Sequence, residues 1–251
     1  MALHLLQHIT DAPIIELDTI DSTNNYAMRL IDADTAQPGL TVTAREQTQG
    51  KGQRGRVWQD SAGQSLLMSI IVEPVHGLEH QFLFNVAATV AIAEVLQKKC
   101  ENCDVRIKWP NDIIVNDKKA GGVLIENVIR GSRWAYSIIG FGLNVLQETM
   151  PDELPYATSL FIENRYRFDL RALRFDLRKD ILQHIYNGAD DDLMHRYNQY
   201  LYRRGQMQTF NDEQTEWQAL INGVTPDGQL VVQLTDGSMQ RYTHGMVNWQ
   251  W

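Results

Sequence analysis

Two cysteines, Cys100 and Cys103, are all that the 251 residues contain. They form a lone CxxC, whereas a structural zinc site takes about four ligands. No second pair or nearby histidine supplies the rest. A thioredoxin-like site needs its thiol at a helix N-terminus, and these two follow a predicted helix at its negative end. Reduced thiols in a turn are expected. Apolar runs are also short, far below a membrane span. Positive charge is scarce, with 23 Lys+Arg against 31 Asp+Glu and a net charge of −8. That balance excludes general affinity for DNA or anionic membranes. The opening MALHLLQHITDAP has no basic segment and no small-residue cleavage site, so no signal peptide and a cytoplasmic location are expected.

What is present describes a globular chain, 43% hydrophobic and 22% charged, long enough for one large domain or a domain with a small appendage. Residues 14–17, 40–44, Ser65–Val72, Val105–Lys108, 113–115, 120–128 and 134–145 read as strands. Asp21-Ser22-Thr23-Asn24 offers helix N-caps before the apolar pattern Tyr26, Ala27, Leu30, Ile31. Gln81–Lys99 is apolar on most faces, which predicts a helix covered on more than one side. Leu170–Tyr186 and 191–202 read as further helices, with Asp190, Asp191 and Asp192 suiting the start of the second. Beyond Gly205 the texture changes to strands at 217–224, 229–234 and 239–243, separated by Asp-Gly turns. The reading is an α+β unit over residues 1–205, a mixed sheet with helices, and a small β-barrel over 206–251.

The stretch Gln47 to Trp58, QTQGKGQRGRVW, sets Gly50, Gly52 and Gly55 among Lys51, Arg54 and Arg56 with no acidic residue. It is not a Walker A loop, because Gly52 follows Lys51 where Ser or Thr is required. It is not a dinucleotide fingerprint either, since no helix opens from it. A solvated basic loop and an anion-wrapping loop fit equally well by composition. Other signals have plain alternatives: capping for Ser22, Thr23 and Asn24, an Asx turn for Asn111, a solvated turn lysine for Lys119, a satisfied core amide for Asn144.

The order of these stretches is more specific than any one of them. DSTN, QxxGKG with RGR and Trp58, then Lys108-Trp109-Pro110-Asn111-Asp112, then Lys119 with Gly121-Gly122, then Gly140, Gly142 and Asn144: this resembles the biotin protein ligases, over Asp21 to Val145. The resemblance implies a catalytic domain of the biotinyl/lipoyl ligase, class II aminoacyl-tRNA-synthetase-like fold, with a C-terminal SH3-like barrel. It implies an ATP-dependent ligase that joins biotin to ATP as biotinyl-5′-AMP and transfers biotin to a lysine of a biotin carboxyl carrier domain. Biotin would meet Ser22, Thr23, Asn24, Gln47, Lys51, Gly52, Gln53, Lys119 and Gly122. The nucleotide would meet Arg54, Arg56, Trp58, Asn111, Asp112 and Asn144, with Mg²⁺ near Asp112 and Asn144. Lys119, Arg56 and Lys51 would carry the catalytic charge stabilisation. The substrate's own carboxylate is the first nucleophile, so no Ser/His/Asp constellation is expected.

The chain departs from the common GRGRRGR loop at Lys51 and Gln53, which predicts weaker retention of the adenylate. It carries His244-Gly245-Met246 where the family often has Gly-Glu. Only about twenty residues precede DSTN, so a form without the DNA-binding domain, and no DNA partner, is expected. Lipoate ligation and non-catalytic sequestration of biotin are the competing readings. A homodimer through sheet edges is one option the sequence leaves open.

Overall fold

The computed structural model describes residues 2–59, 61–75, 77–186, 192–212 and 214–250. A helix α1 (Ala2–Thr10) precedes β1 (Ile14–Ile20), α2 (Thr23–Asp32), β2 (Thr41–Gln47) and β3 (Ser65–Val72). Then come α3 (Gln81–Lys99), β4 (Val105–Lys108), β5 (Asp112–Val115), β6 (Lys118–Arg130) and β7 (Arg133–Asn144). Helices α4 (Leu160–Asn164), α5 (Leu170–Tyr186) and α6 (Leu193–Tyr200) follow. The chain ends in β8 (Met207–Asn211), β9 (Glu216–Val224), β10 (Leu230–Leu234), β11 (Met239–Tyr242) and β12 (Asn248–Trp249). Among the described residues no helix is long and apolar enough to cross a membrane.

Seven strands form one mixed sheet in the order β1-β2-β3-β7-β6-β5-β4. Only the β1–β2 pair is parallel. A second, antiparallel sheet runs β11-β10-β9-β8-β12. The mixed sheet, its helices and the small β sheet are the α+β architecture read from the sequence. Three elements carried too little signal to be read: α1, the five-residue α4 and the strand β8. Lys119 lies inside strand β6 rather than in the preceding turn, because a register shift between Ile113 and Ile114 starts the pairing earlier. The last helix is two residues shorter at each end than 191–202, and Leu201 instead bridges to Ile107. Asp190 and Asp191 lie outside the described residues.

Period-two alternation divides the large sheet's faces. Leu66, Met68, Ile70 and Val72 of β3, with Ile139, Phe141 and Leu143 of β7, face the main core with α3 and α5. That core continues into the second sheet through Phe210, Ile221, Val232 and Trp249. Helix α3 is buried on several faces, packed by α5 and α6 as well as strands, as its unbroken apolar pattern requires. The opposite face carries a smaller cluster under α2: Ala27, Ile31, Val42, Ile71 and Ile138. Further along that face, β7 places Gly140 and Gly142 where apolar side chains would otherwise stand. Cys100 caps α3, and both thiols are free and buried. Burial pushes the Cys100 thiol up to about 12, so it is inert as a nucleophile at neutral pH.

Candidate active site

The two glycines of β7 open a cavity of about 580 Å³ on the α2 side of the sheet. Cross-strand register builds its floor: Ser69 and Leu124 flank Gly140, while Gly122 and Leu67 flank Gly142. Asp112 pairs with Gly122 and extends that second row. A Cβ on Gly140 would lie 2.2 Å from Asn24 Oδ1, and one on Gly142 would lie 2.7 Å from the Trp58 ring. Both glycines are therefore needed for close approach.

One end of the cavity is a tight polar cluster. Gln47 Oε1 accepts from the Thr23 backbone N–H at 2.8 Å and from Thr23 Oγ1 at 3.1 Å. The Ser69 hydroxyl lies 2.7 Å from Thr23 Oγ1 and 2.6 Å from Asn24 Oδ1, sharing one proton between them. Asn24 Nδ2 donates to Glu126 at 2.7 Å. Ser22 stands at the N-cap position of α2 but makes no side-chain cap hydrogen bond. Capping therefore does not account for Ser22, Thr23 and Asn24, all of which are buried. Asp21 does the anchoring instead. Arg29 donates to it through both terminal nitrogens at 3.0 Å, which holds the Asp21 carboxyl well below the usual range.

The other end is basic. The 50–58 stretch is a small hairpin, closed by Gly52 N–H to Arg56 O at 2.7 Å and Trp58 N–H to Gly50 O at 2.9 Å. Its tip is a single 3₁₀ turn, Gln53–Gly55, with Arg54 at φ 56 and Gly55 at φ 77. Lys51 reaches Glu126 at 3.4 Å, and Lys119 pairs with Asp112 at 2.7 Å. Lys51, Arg54, Arg56, Lys108 and Lys119 all line the cavity, with Asp112 as the one carboxylate among its lining residues. In a chain of net charge −8 this is a strong local reversal of sign, suited to a polyanion.

All the residues named from the sequence line this one cavity: Ser22, Thr23, Asn24, Gln47, Lys51, Gly52, Gln53, Arg54, Arg56, Trp58, Asn111, Asp112, Lys119, Gly122 and Asn144. Two have structural bonds as well. Asn111 Nδ2 donates to Val123 O, and Asn144 Nδ2 donates to Thr158 O at 3.1 Å. The Trp58 indole N–H is buried with no partner among the described residues, a donor suited to a ligand acceptor.

The sequence reading missed several lining groups. Lys108 is buried, donates to Trp249 O at 3.2 Å and sits 5.3 Å from the Trp249 ring centre. Burial pulls its ammonium down to about 8, against an opposing pull from Asp112. His244 stacks edge-on against Trp109 at 5.5 Å. Burial, then Arg54 and Arg56, lowers its pKa, so it is held neutral beside the loop cations. Ser69 and Glu126 complete the polar cluster but sit in strands that read only as apolar or mixed runs. Lys108 belongs to a stretch already singled out, and its place beside Pro110 was the available signal.

The sequence pattern of the Biotin/lipoate A/B protein ligase family matches residues 16–144. The Bifunctional ligase/repressor BirA of Bacillus subtilis (strain 168) is 34% identical over 188 residues, 74% of this chain and 52% of that protein. The Biotin–[acetyl-CoA-carboxylase] ligase of Paracoccus denitrificans is 33% identical over 130 residues, 50% of this chain and 51% of the relative. The chain thus spans about half the length of the curated relatives it matches. The fold is similar to that of the biotin protein ligase from Aquifex aeolicus in complex with biotin and ATP. That match has a TM-score of 0.77 at 23% identity, covering 94% of this chain and 98% of the other.

Proposed function

The chain belongs to the Biotin/lipoate A/B protein ligase family, and from that premise we propose that it activates biotin with ATP and transfers it to a carrier lysine. The observation that carries this reading is the cavity's division into a neutral, cross-bonded polar end and an end where five cations surround Asp112. A ligand with an uncharged polar head, an apolar chain and a carboxylate fits against the first. A triphosphate fits against the second. The volume is within the usual range for a small-molecule site.

In the first step a carboxylate oxygen of biotin attacks the α-phosphorus of ATP, and pyrophosphate leaves. Two anions must meet, so neutralising charge is the main task. Lys119, Arg56 and Lys51 take that role, with Arg54 on the phosphate side. Lys119 leaves its 2.7 Å contact with Asp112 to do so. Ser22, Thr23, Asn24 and Gln47 hold the biotin head. Gly52 and Gln53 cover the acyl-phosphate, and Gly122 leaves room for it. Trp58 and Asn144 flank the nucleotide, with Asn111 bracing Val123. In the second step the ε-amine of the carrier lysine attacks the acyl carbon, and AMP departs with the phosphate oxygen.

Among the described residues no group of three or more His, Cys, Asp or Glu could hold a metal. Mg²⁺ is ordinarily bound through one or two carboxylates plus substrate phosphates, so Asp112 with Asn144 fits that ion. When bound it would neutralise charge on the leaving pyrophosphate. Residues 1–205 then carry both substrates, and 206–251 wall the nucleotide end. A reaction consuming ATP and modifying carboxylase carriers belongs in the cytoplasm.

The test is incubation of the protein with ATP, biotin and an isolated biotin carboxyl carrier domain. A mass gain of one biotinyl group on the carrier supports the reading. Modification by lipoate in place of biotin moves the chain to the other branch of the family. Binding of biotin and ATP without carrier modification leaves a sequestering protein.

A further inference from the structure

The hairpin is braced by a contact from the second sheet. Gly245 lies in the turn between β11 and β12, closed by Met246 N–H to Thr243 O at 3.0 Å. A Cβ built on Gly245 would lie 1.5 Å from Arg54 Nη1 and 1.8 Å from Arg54 Cζ. The guanidinium of the hairpin tip therefore occupies the space that a side chain at 245 would fill. Gly245 is at φ +89, so the turn also favours glycine for backbone reasons. Next to it His244 is kept neutral, which lets Arg54 and Arg56 approach without a third positive charge. Lys108 donates to the Trp249 carbonyl and Trp109 Nε1 donates to Gly228 O at 3.0 Å, so this turn is fixed to the cavity wall from both sides.

We propose that the 243–246 turn of the second sheet is the seat of the hairpin tip, and that Gly245 is a positioning residue which holds the 50–58 lid closed through Arg54. Arg54, exposed along the rest of its length, is anchored only where the second sheet meets the lid. The seat is a feature of the folded chain without any ligand. Its consequence for catalysis, slower escape of the adenylate, rests on the ligase reading above.

Amide hydrogen exchange of the ligand-free full chain tests the seat. The reporters are the Gly52 and Trp58 amides, which close the hairpin. Gly245→Ala is expected to speed their exchange about threefold to tenfold, the scale of one lost contact to a charged group. Arg54→Ala is expected to do the same from the other partner. The double variant is expected to add little beyond either single change, because both remove one contact. Exchange in the β10 and β11 amides reports whether the second sheet itself stays folded. Unchanged Gly52 and Trp58 exchange in Arg54→Ala overturns the proposal. Fully additive single effects overturn it as well, since they reduce Gly245→Ala to local backbone strain. A protein that fails to biotinylate any carrier but shows the coupled exchange refutes the ligase reading and leaves the seat standing.

Discussion

At one end of the cavity Thr23, Asn24, Gln47 and Ser69 are tied to one another at 2.6 to 3.1 Å, and three of the four are buried. At the other, Lys51, Arg54 and Arg56 are exposed and ride on a hairpin of two backbone bonds. The first end sits on sheet and helix, where rotamers are fixed by packing. The second sits on a connection whose stability comes from few contacts. A neutral head group is read by hydrogen-bond geometry, which rewards rigidity. A polyanion is met by cations that can adjust, and a closing loop needs low local stability to open at all. The contrast predicts that changes at the polar end alter affinity, while changes at the basic end alter rate and retention.

The largest effect is expected at Lys119. Lys119→Ala should lower biotin-dependent pyrophosphate exchange by about 10²–10³-fold, the scale of removing one charge-stabilising donor. Near-normal exchange would return Lys119 to a solvated strand lysine paired with Asp112.

Lys108 separates stability from activity. Its ammonium is depressed to about 8, below the ordinary lysine value, so folding disfavours its charge. The stabilising contribution is therefore complete above the ordinary lysine pKa and is lost as pH falls through about 8. At pH 7 the buried charge opposes folding. Lys108→Met should raise stability at pH 7 by ~1–3 kcal/mol while impairing ATP-dependent turnover. Denaturant titrations at pH 7 and pH 10 check this, because the variant should lose the rise in stability between them.

Gly140→Ala tests the polar end. The new methyl displaces Asn24 from its bonds to Ser69 and Glu126, and biotin affinity should fall by about tenfold at nearly unchanged kcat. Calorimetric titration with biotin reads this directly. A change confined to kcat would break the contrast between the two ends. The smallest effect is expected from Gln53→Arg, which restores a loop arginine. Release of biotinyl-AMP should slow by about threefold, measured by chasing labelled adenylate from the protein.

Local patterns made much of this protein legible. The all-apolar run of β3 and the extent of α3 follow from periodicity, because burial on a sheet or between helices imprints its period on the sequence. The site was legible for a different reason. Backbone approach requires glycine, and charge neutralisation requires Lys or Arg, so both leave marks that spacing preserves. Helix α1, α4 and β8 escaped, being short or dependent on distant partners for their burial.

The residue types at each position determined the chemistry available: glycines beside cations, amides beside a sheet, one CxxC too poor in ligands for zinc. Only the tertiary structure decided which of them meet. The alternation of β7 and its register with β3 and β6 put Ser69, Gly140 and Asn24 in one cluster. The second sheet brought His244, Gly245 and Trp249 back against a loop some 190 residues earlier in the chain. Such contacts depend on packing between elements distant in sequence, where no local period or motif records them.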